Sequence, residues 1–267
     1  MSNQPDRALM PRAMERVQVS KLQGKTAVVT GASKGIGAGI AKALAAEGAA
    51  VVVNYATSRD GADKVVAEIV AAGGKAVAVQ GDVSKGADVT RLFAEAKAAF
   101  GAVDVLVNNA GVYRFAPLDE VTEDEFRRQF DTNVLGLLLA SQEAARQFGP
   151  QGGSIINISS NAVELNLPTA SVYTATKASV NAITRILAKE LGPRNIRVNA
   201  ISPGGTETEG VHDAGIIGTD FEKHLVAQTP LGRLGQPTDI APVATFLASA
   251  DAGWVTGEVI VVSGGLR

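Results

Sequence analysis

The chain has 267 residues, 46% of them hydrophobic, and a formal charge of −2, which suits one large α/β domain and offers no basic block for nucleic acid or an anionic membrane. It contains no cysteine, which excludes disulfides, thiol nucleophiles and cysteine–zinc sites and fits a reducing cytoplasm. Its two histidines, His212 and His224, fall in a polar, glycine-rich stretch and read as solvated loop residues, so no metal centre is expected.

Residues 1–20 mix Asp6, Arg7, Arg12, Glu15 and Arg16 without an apolar run, a pattern of neither signal peptide nor anchor. They are expected to form a flexible extension ahead of a single domain over 21–267. The most apolar internal stretch, Val134 to Ala140, is far shorter than the ~20 residues of a spanning helix, so a soluble protein is expected. From Lys25 onward, short β-branched runs alternate with alanine-rich segments. Val28-Val29, Val51 to Val53, Ala76 to Val79, Val103 to Val107, Ile155 to Ile158, Ile196 to Ile201 and Val259 to Val262 read as strands covered on both faces, the habit of parallel sheets. Between them, 35–48, 59–73, 86–100, 122–149, 172–192 and 237–249 read as helices. The alternation predicts an α/β fold, a Rossmann-like doubly wound parallel sheet of about seven strands with helices on both faces. Two stretches break the rhythm, 161–171 and 204–230. Both follow strands and are expected at the sheet edge where such folds bind ligands, the second as a mobile lid hinged at Gly210, Gly215 and Gly218.

TGASKGIG (30–37) follows the first strand and opens a helix. Gly31 permits a sharp turn, Gly35 close backbone approach and Gly37 tight packing, while the helix start supplies free N–H groups for a pyrophosphate. Ser33, Lys34 and Ile36 lie between those glycines. At the end of the second strand, where an acid would bond a ribose 2′-hydroxyl, the chain places Tyr55, Thr57, Ser58 and Arg59 instead, with Ser58 as the expected helix cap. With Ser33 and Lys34 nearby, these residues would welcome a 2′-phosphate, which favours NADP(H) over NAD(H). Asp82 after the third strand suits an adenine amine. Asn109, Ala110 and Gly111 after the fourth leave room for a flat ring, although each of these is also an ordinary turn residue.

Asn133 interrupts the apolar run NVLGLLLASQ and needs a hydrogen-bonding partner, either across a helix–sheet contact or in a bound water. After strand five come Ser159 and Ser160, adjacent and therefore facing opposite ways. In YTATK, Tyr173 and Lys177 share one helix face. A cation at about 6 Å and an effective dielectric near 20 is worth roughly 3 kcal/mol, enough to lower a phenol's pKa by about 2 units. Lys177 is therefore expected to bring Tyr173 toward the range useful in acid–base catalysis.

Taken in chain order, TGASKGIG, NNAG, Asn133, Ser160, YTATK and Pro203-Gly204 resemble the single-domain short-chain dehydrogenase/reductase family over residues 22–265. The resemblance implies catalytic roles for Ser160 (rather than Ser159), Asn133, Tyr173 and Lys177. It assigns Asp82 with Val83 to the adenine, and Pro203, Gly204, Thr206 and Thr208 to the nicotinamide end of the cofactor. The ending WVTGEVIVVSGG also fits, with Ser263 where an aspartate is common. The implied activity is reversible, NADP(H)-dependent reduction of a ketone, most like the 3-oxoacyl-[acyl-carrier-protein] reductases. A sugar or a cyclic or aromatic ketone is the alternative substrate, and a non-catalytic dinucleotide-binding protein the remote alternative. Val163, Leu165, Leu167, Val211, Ile216, Ile217 and Phe221 are expected to wall the pocket. Arg114, Arg127, Arg128 and Arg146 are candidates for a carrier-protein patch, though each also reads as plain helix-surface charge. Apolar faces at 133–148 and small residues Ala175, Ala178, Ser179 and Ala182, with the habit of relatives, suggest a homotetramer.

Overall fold

β-branched runs become strands because their side chains pack on both faces of a pleated sheet. The computed structural model describes residues 20–213 and 215–267, so the extension expected at 1–20 lies, apart from Ser20, outside the described residues. The strands are β1 (Thr26–Val29), β2 (Ala50–Tyr55), β3 (Lys75–Gln80), β4 (Val105–Asn108), β5 (Gly153–Ile158), β6 (Ile196–Pro203) and β7 (Val259–Val262). All pair in parallel in one sheet of order β3-β2-β1-β4-β5-β6-β7. Register is tight across the centre, where Val28 stands opposite both Val52 and Leu106.

Helices α1 (Gly35–Ala46), α2 (Arg59–Ala71) and α10 (Pro237–Ala248) cover one face. There Val51 and Val53 meet Ile40, Leu44, Ile240 and Leu247 in a buried core. Helices α3 (Gly86–Phe100), α5 (Gly136–Gln147) and α7 (Ser171–Leu191) cover the other, where Val28, Val52 and Leu106 meet Leu92, Phe93 and Ala144. Neighbouring residues of one strand thus serve opposite cores, as the two-residue period demands. The strand order reverses between β1 and β4, which opens a crevice at their carboxyl ends.

The helix expected over 122–149 is not continuous. It divides into α4 (Glu123–Phe130), a π-helical turn (Asp131–Leu135) and α5. Periodicity alone cannot reveal the wide turn, which arises from tertiary contacts. A Cβ on Gly136 would come 2.7 Å from Val83 Cγ2, and Asn133 is drawn inward to the Val112 backbone. Such turns often mark functional positions. Strand β4 starts at Val105 and not at Val103, because Asp104 is committed to Thr26 N and Lys25 Nζ. The two irregular stretches carry short helices, α6 (Ala162–Leu165) in the first and α8 (Glu209–Asp213) and α9 (Asp220–Gln228) in the second. Among the described residues no helix is long and apolar enough to cross a membrane.

Candidate active site

The turn from β1 into α1 is clamped by its neighbours. Gly31 has φ +59°, and a Cβ there would sit 2.8 Å from Ala110 Cα, so only glycine fits. Asn109 Nδ2 donates to the carbonyls of Thr30 and Gly31, each at 2.9 Å. The Thr30 hydroxyl accepts from the N–H groups of Asn109 and Ala110, each at 3.0 Å. Asn109 and Ala110, expected to make room for a ring, therefore also lock the glycine loop to β4. A further clamp went unread in the sequence. Asn54 is buried, accepts from Gly31 N at 3.2 Å, and donates to the carbonyls of Val79 and Gly81. Its signal was available, since a polar residue inside the run VVVNY must find partners.

At the end of β2 two expectations are corrected. Tyr55 is buried in the core with Val51 and Val53, because the strand period turns it to the α1–α2 face. Ser58 precedes α2, yet its side chain does not cap it. Thr57, Ser58 and Arg59 are exposed, and Arg59 reaches Asp63 at 3.4 Å on its own helix. Asp82 accepts from the N–H and hydroxyl of Ser84 at 3.0 and 2.7 Å, the turn geometry weighed for it above.

The strand-five end and α7 bring the remaining chemistry together. Ser159 is buried and its hydroxyl donates to Lys177 O at 3.3 Å, so it anchors α7. Ser160 lines a cavity beside Tyr173, and its hydroxyl accepts from Ala162 N at 3.2 Å. Lys177 Nζ lies 5.8 Å from the centre of the Tyr173 ring and donates to Ile158 O at 2.8 Å. Asn133 Oδ1 accepts from Val112 N, while its Nδ2 donates to Val112 O and to Thr176 Oγ1. Thr176 in turn donates to Tyr173 O, so Asn133 holds the turn that carries the tyrosine.

The expected depression of the Tyr173 pKa is overturned. Burial pushes the phenol above its ordinary value, offset only in part by the Ser160 hydroxyl, with Tyr113 adding to the rise. Burial also brings the Lys177 amine down to about 8. Loss of hydration disfavours both charged forms, and this outweighs the attraction expected from spacing alone.

A cavity of about 260 Å³ joins Ser160 and Tyr173 to Ile36, Pro203, Gly204, Thr206 and Thr208. Its apolar wall includes the expected Leu165, Leu167, Val211, Ile216 and Phe221, while the expected Val163 and Ile217 do not line it. Tyr113 and Phe115, unread in the sequence, complete the wall and lie 6.0 and 5.8 Å from the Tyr173 ring. A second cavity of about 10 Å³, near the size of one water, lies between Asn133, Lys177, Thr30 and Val83. Ser33, Lys34, Gly35, Thr57, Ser58, Arg59 and Asp82 line neither. The Gly35 N–H at the start of α1 meets a carboxylate oxygen of Glu209 at 2.9 Å, so the cradle that should take a pyrophosphate is one that accepts an anion. His212 pairs with Glu207 at the surface, His224 is exposed, and among the described residues no cluster could hold a metal.

A doubly wound sheet with this crevice and this grouping of serine, tyrosine and lysine is the scaffold of a nicotinamide-dependent oxidoreductase. Comparison with known proteins agrees. Residues 31–267 match a family model described as Enoyl-(Acyl carrier protein) reductase. An uncharacterized oxidoreductase of Methylorubrum extorquens is 63% identical over 249 residues, covering 93% of this chain and all of that one. A hydroxynaphthalene reductase-like protein of Metarhizium guizhouense is 42% identical over 256 residues, covering 91% and 95%. A solved short-chain dehydrogenase/reductase from Serratia marcescens superposes with a TM-score of 0.87 at 39% identity, covering 92% and 99%. The chain belongs to the short-chain dehydrogenase/reductase family and is an oxidoreductase.

Proposed function

We propose that the protein reduces a ketone to a secondary alcohol, reversibly, with NADP(H). The observation that carries this reading is the Ser160–Tyr173 hydroxyl pair, which lines one cavity together with Thr206 and Thr208. When bound, the nicotinamide supplies the hydride to the carbonyl carbon. Ser160 donates to the carbonyl oxygen and holds it against Tyr173. As charge develops on that oxygen, the O–H bond of Tyr173 breaks and its proton completes the alcohol. The raised pKa keeps the phenol protonated near neutrality, as a general acid requires. Lys177 faces the ring from beneath and stabilises the phenolate left behind. The small cavity between Asn133 and Lys177 has room for the water that returns the proton from solvent. Tyr173→Phe should abolish turnover, followed as nicotinamide absorbance against a ketone panel, while NADPH affinity stays within a few fold. Substantial residual turnover would contradict the assignment. Absence of turnover in the wild type with every ketone would favour the non-catalytic reading.

NADP(H) is favoured over NAD(H) by the absence of an acid at the end of β2 itself and by the exposed Ser58, Arg59 and Lys34. Of the substrate classes, a ring-bearing ketone has specific support. Tyr113, Phe115 and Tyr173 form three neighbouring rings, with centroids 5.5 to 6.0 Å apart, in the cavity that Ser160 also lines. An aromatic-lined apolar wall of this kind suits an aromatic or polycyclic substrate better than a free sugar. The 3-oxoacyl reading draws on an apolar wall able to take an acyl chain, while the family model's description shares with it the acyl carrier protein but names an enoyl reductase. Its basic patch is weakened, since Arg127, Arg128 and Arg146 are each paired with a glutamate of their own helix. A homotetramer is supported by exposed Leu135, Leu138 and Ile186 beside the solvent-facing Ala175, Ala178 and Ala182, and light scattering tests it. The cysteine-free composition supports a cytoplasmic location.

A further inference from the structure

The phosphate cradle of the glycine loop is met by the protein's own acids. Glu209 and Asp213 stand four apart on α8 and therefore share one side of it. Glu209 Oε2 accepts from Gly35 N at 2.9 Å, at the start of the twelve-residue α1. Asp213 Oδ2 lies 3.1 Å from Lys34 Nζ, the cation assigned above to a 2′-phosphate. The helix is seated closely. A Cβ added to Gly35 would approach Thr208 Cγ2 to 3.3 Å, and Tyr113 donates its hydroxyl proton to Gly210 O at 3.2 Å from the far wall. On its other flank, Gly215 (φ +66°) and Gly218 (φ +84°) are left-handed, with open space around them.

We propose that α8 is an internal phosphate mimic, with Glu209 standing where the dinucleotide's pyrophosphate binds and Asp213 where a ribose 2′-phosphate binds. The proposal rests on the dinucleotide reading of the site. A carboxylate and a phosphate oxygen ask the same of a helix start, an N–H donor and positive potential, and one N–H serves only one of them well. Cofactor entry therefore requires α8 to leave the loop, turning about Gly215 and Gly218. The measured affinity is the intrinsic affinity reduced by the fraction of molecules whose loop is free. The two acids differ in consequence. Glu209 opposes any pyrophosphate, whereas Asp213 opposes only a cofactor with a 2′-phosphate. Lid closure in this chain thus competes with the cofactor and does not merely cover it.

The test is equilibrium titration of the full-length protein with NADPH and with NADH, read by nicotinamide fluorescence without a ketone. Limited proteolysis across 204–218 serves as a second readout. Glu209→Gln should tighten both dinucleotides by about three- to tenfold and make the segment easier to cleave. Asp213→Asn should tighten NADPH by roughly threefold and leave NADH within about twofold. Both residues are exposed, so neither variant threatens folding, and Glu209→Ala repeats the first test with the acceptor removed. Wild-type affinity in Glu209→Gln and Glu209→Ala would overturn the mimic while leaving the cofactor reading intact. Equal gains for both dinucleotides in Asp213→Asn would overturn the assignment of Asp213. Failure of the wild type and every variant to bind either dinucleotide would defeat the cofactor reading and the mimic with it.

Discussion

Lys177 destabilises the fold that carries it, and this can be measured without any substrate. The amine is 5% exposed, and burial lowers its pKa from 10.5 to about 8. Each unit corresponds to about 1.4 kcal/mol, so the folded state gives up about 3 kcal/mol wherever the amine is charged in both states. The sign follows from proton counting. Between pH 8 and 10.5 the unfolded chain holds the proton and the folded chain has released it, so stability rises with pH across that window. Below pH 8 the cost is constant and largest. Lys177→Met removes it at every pH, but also removes the 2.8 Å bond to Ile158 O, leaving a carbonyl whose loss costs about 1–2 kcal/mol. The variant should therefore be more stable than wild type by about 1–2 kcal/mol at pH 7, and should lose that advantage by pH 10.5. Urea denaturation of both proteins at half-unit pH steps reads the difference, in which alkaline effects common to both cancel. A difference that stays flat from pH 7 to 10.5 would refute the claim that burial dominates at this amine. Turnover should vanish in the same variant, so the residue would be one where activity is held at the expense of stability.

Asn54→Ala removes three hydrogen bonds, two of them buried, that link the glycine loop to the carbonyls of Val79 and Gly81, and should cost about 2–3 kcal/mol in chemical denaturation, with weaker dinucleotide binding. A loss under about 0.5 kcal/mol would show that the loop holds its shape without this clamp. Replacing Ser58 and Arg59 together by alanine should weaken NADPH by roughly tenfold and NADH by less than about twofold in titrations, since both side chains are exposed after β2. Tyr113→Ala with Phe115→Ala should raise KM for a bicyclic aromatic ketone at least about tenfold relative to a short aliphatic ketone. Parallel changes for both substrates would dismiss the aromatic wall as a selector.

Much of the architecture was legible because parallel strands and their covering helices obey local rules. The strand runs, α1 to α3, α7 and α10 all lie within a few residues of where periodicity puts them. The break at Asp131–Leu135 was not legible, because it depends on Val83 and Val112, which are distant in sequence. Ser160 was separable from Ser159 through the family resemblance, and both line the cavity, with the Ser159 hydroxyl turned to Lys177 O. Tyr55 shows the reverse case, since its place at a strand end suggested a ligand contact while the strand period sent it into the core.

Residue order along the chain was enough to predict the parallel sheet, the glycine turn and the shared helix face of Tyr173 and Lys177, because these follow from patterns within short elements, whereas Ser160 joined them through the family resemblance. Tertiary structure alone decided the ionisation of that group. Charge on Tyr173 and Lys177 depends on how much water the surrounding sheet, helices and Tyr113 exclude, and exclusion of water is a property of the assembled fold. The same holds for the acids of α8, whose meeting with Gly35 and Lys34 joins parts of the chain more than 170 residues apart.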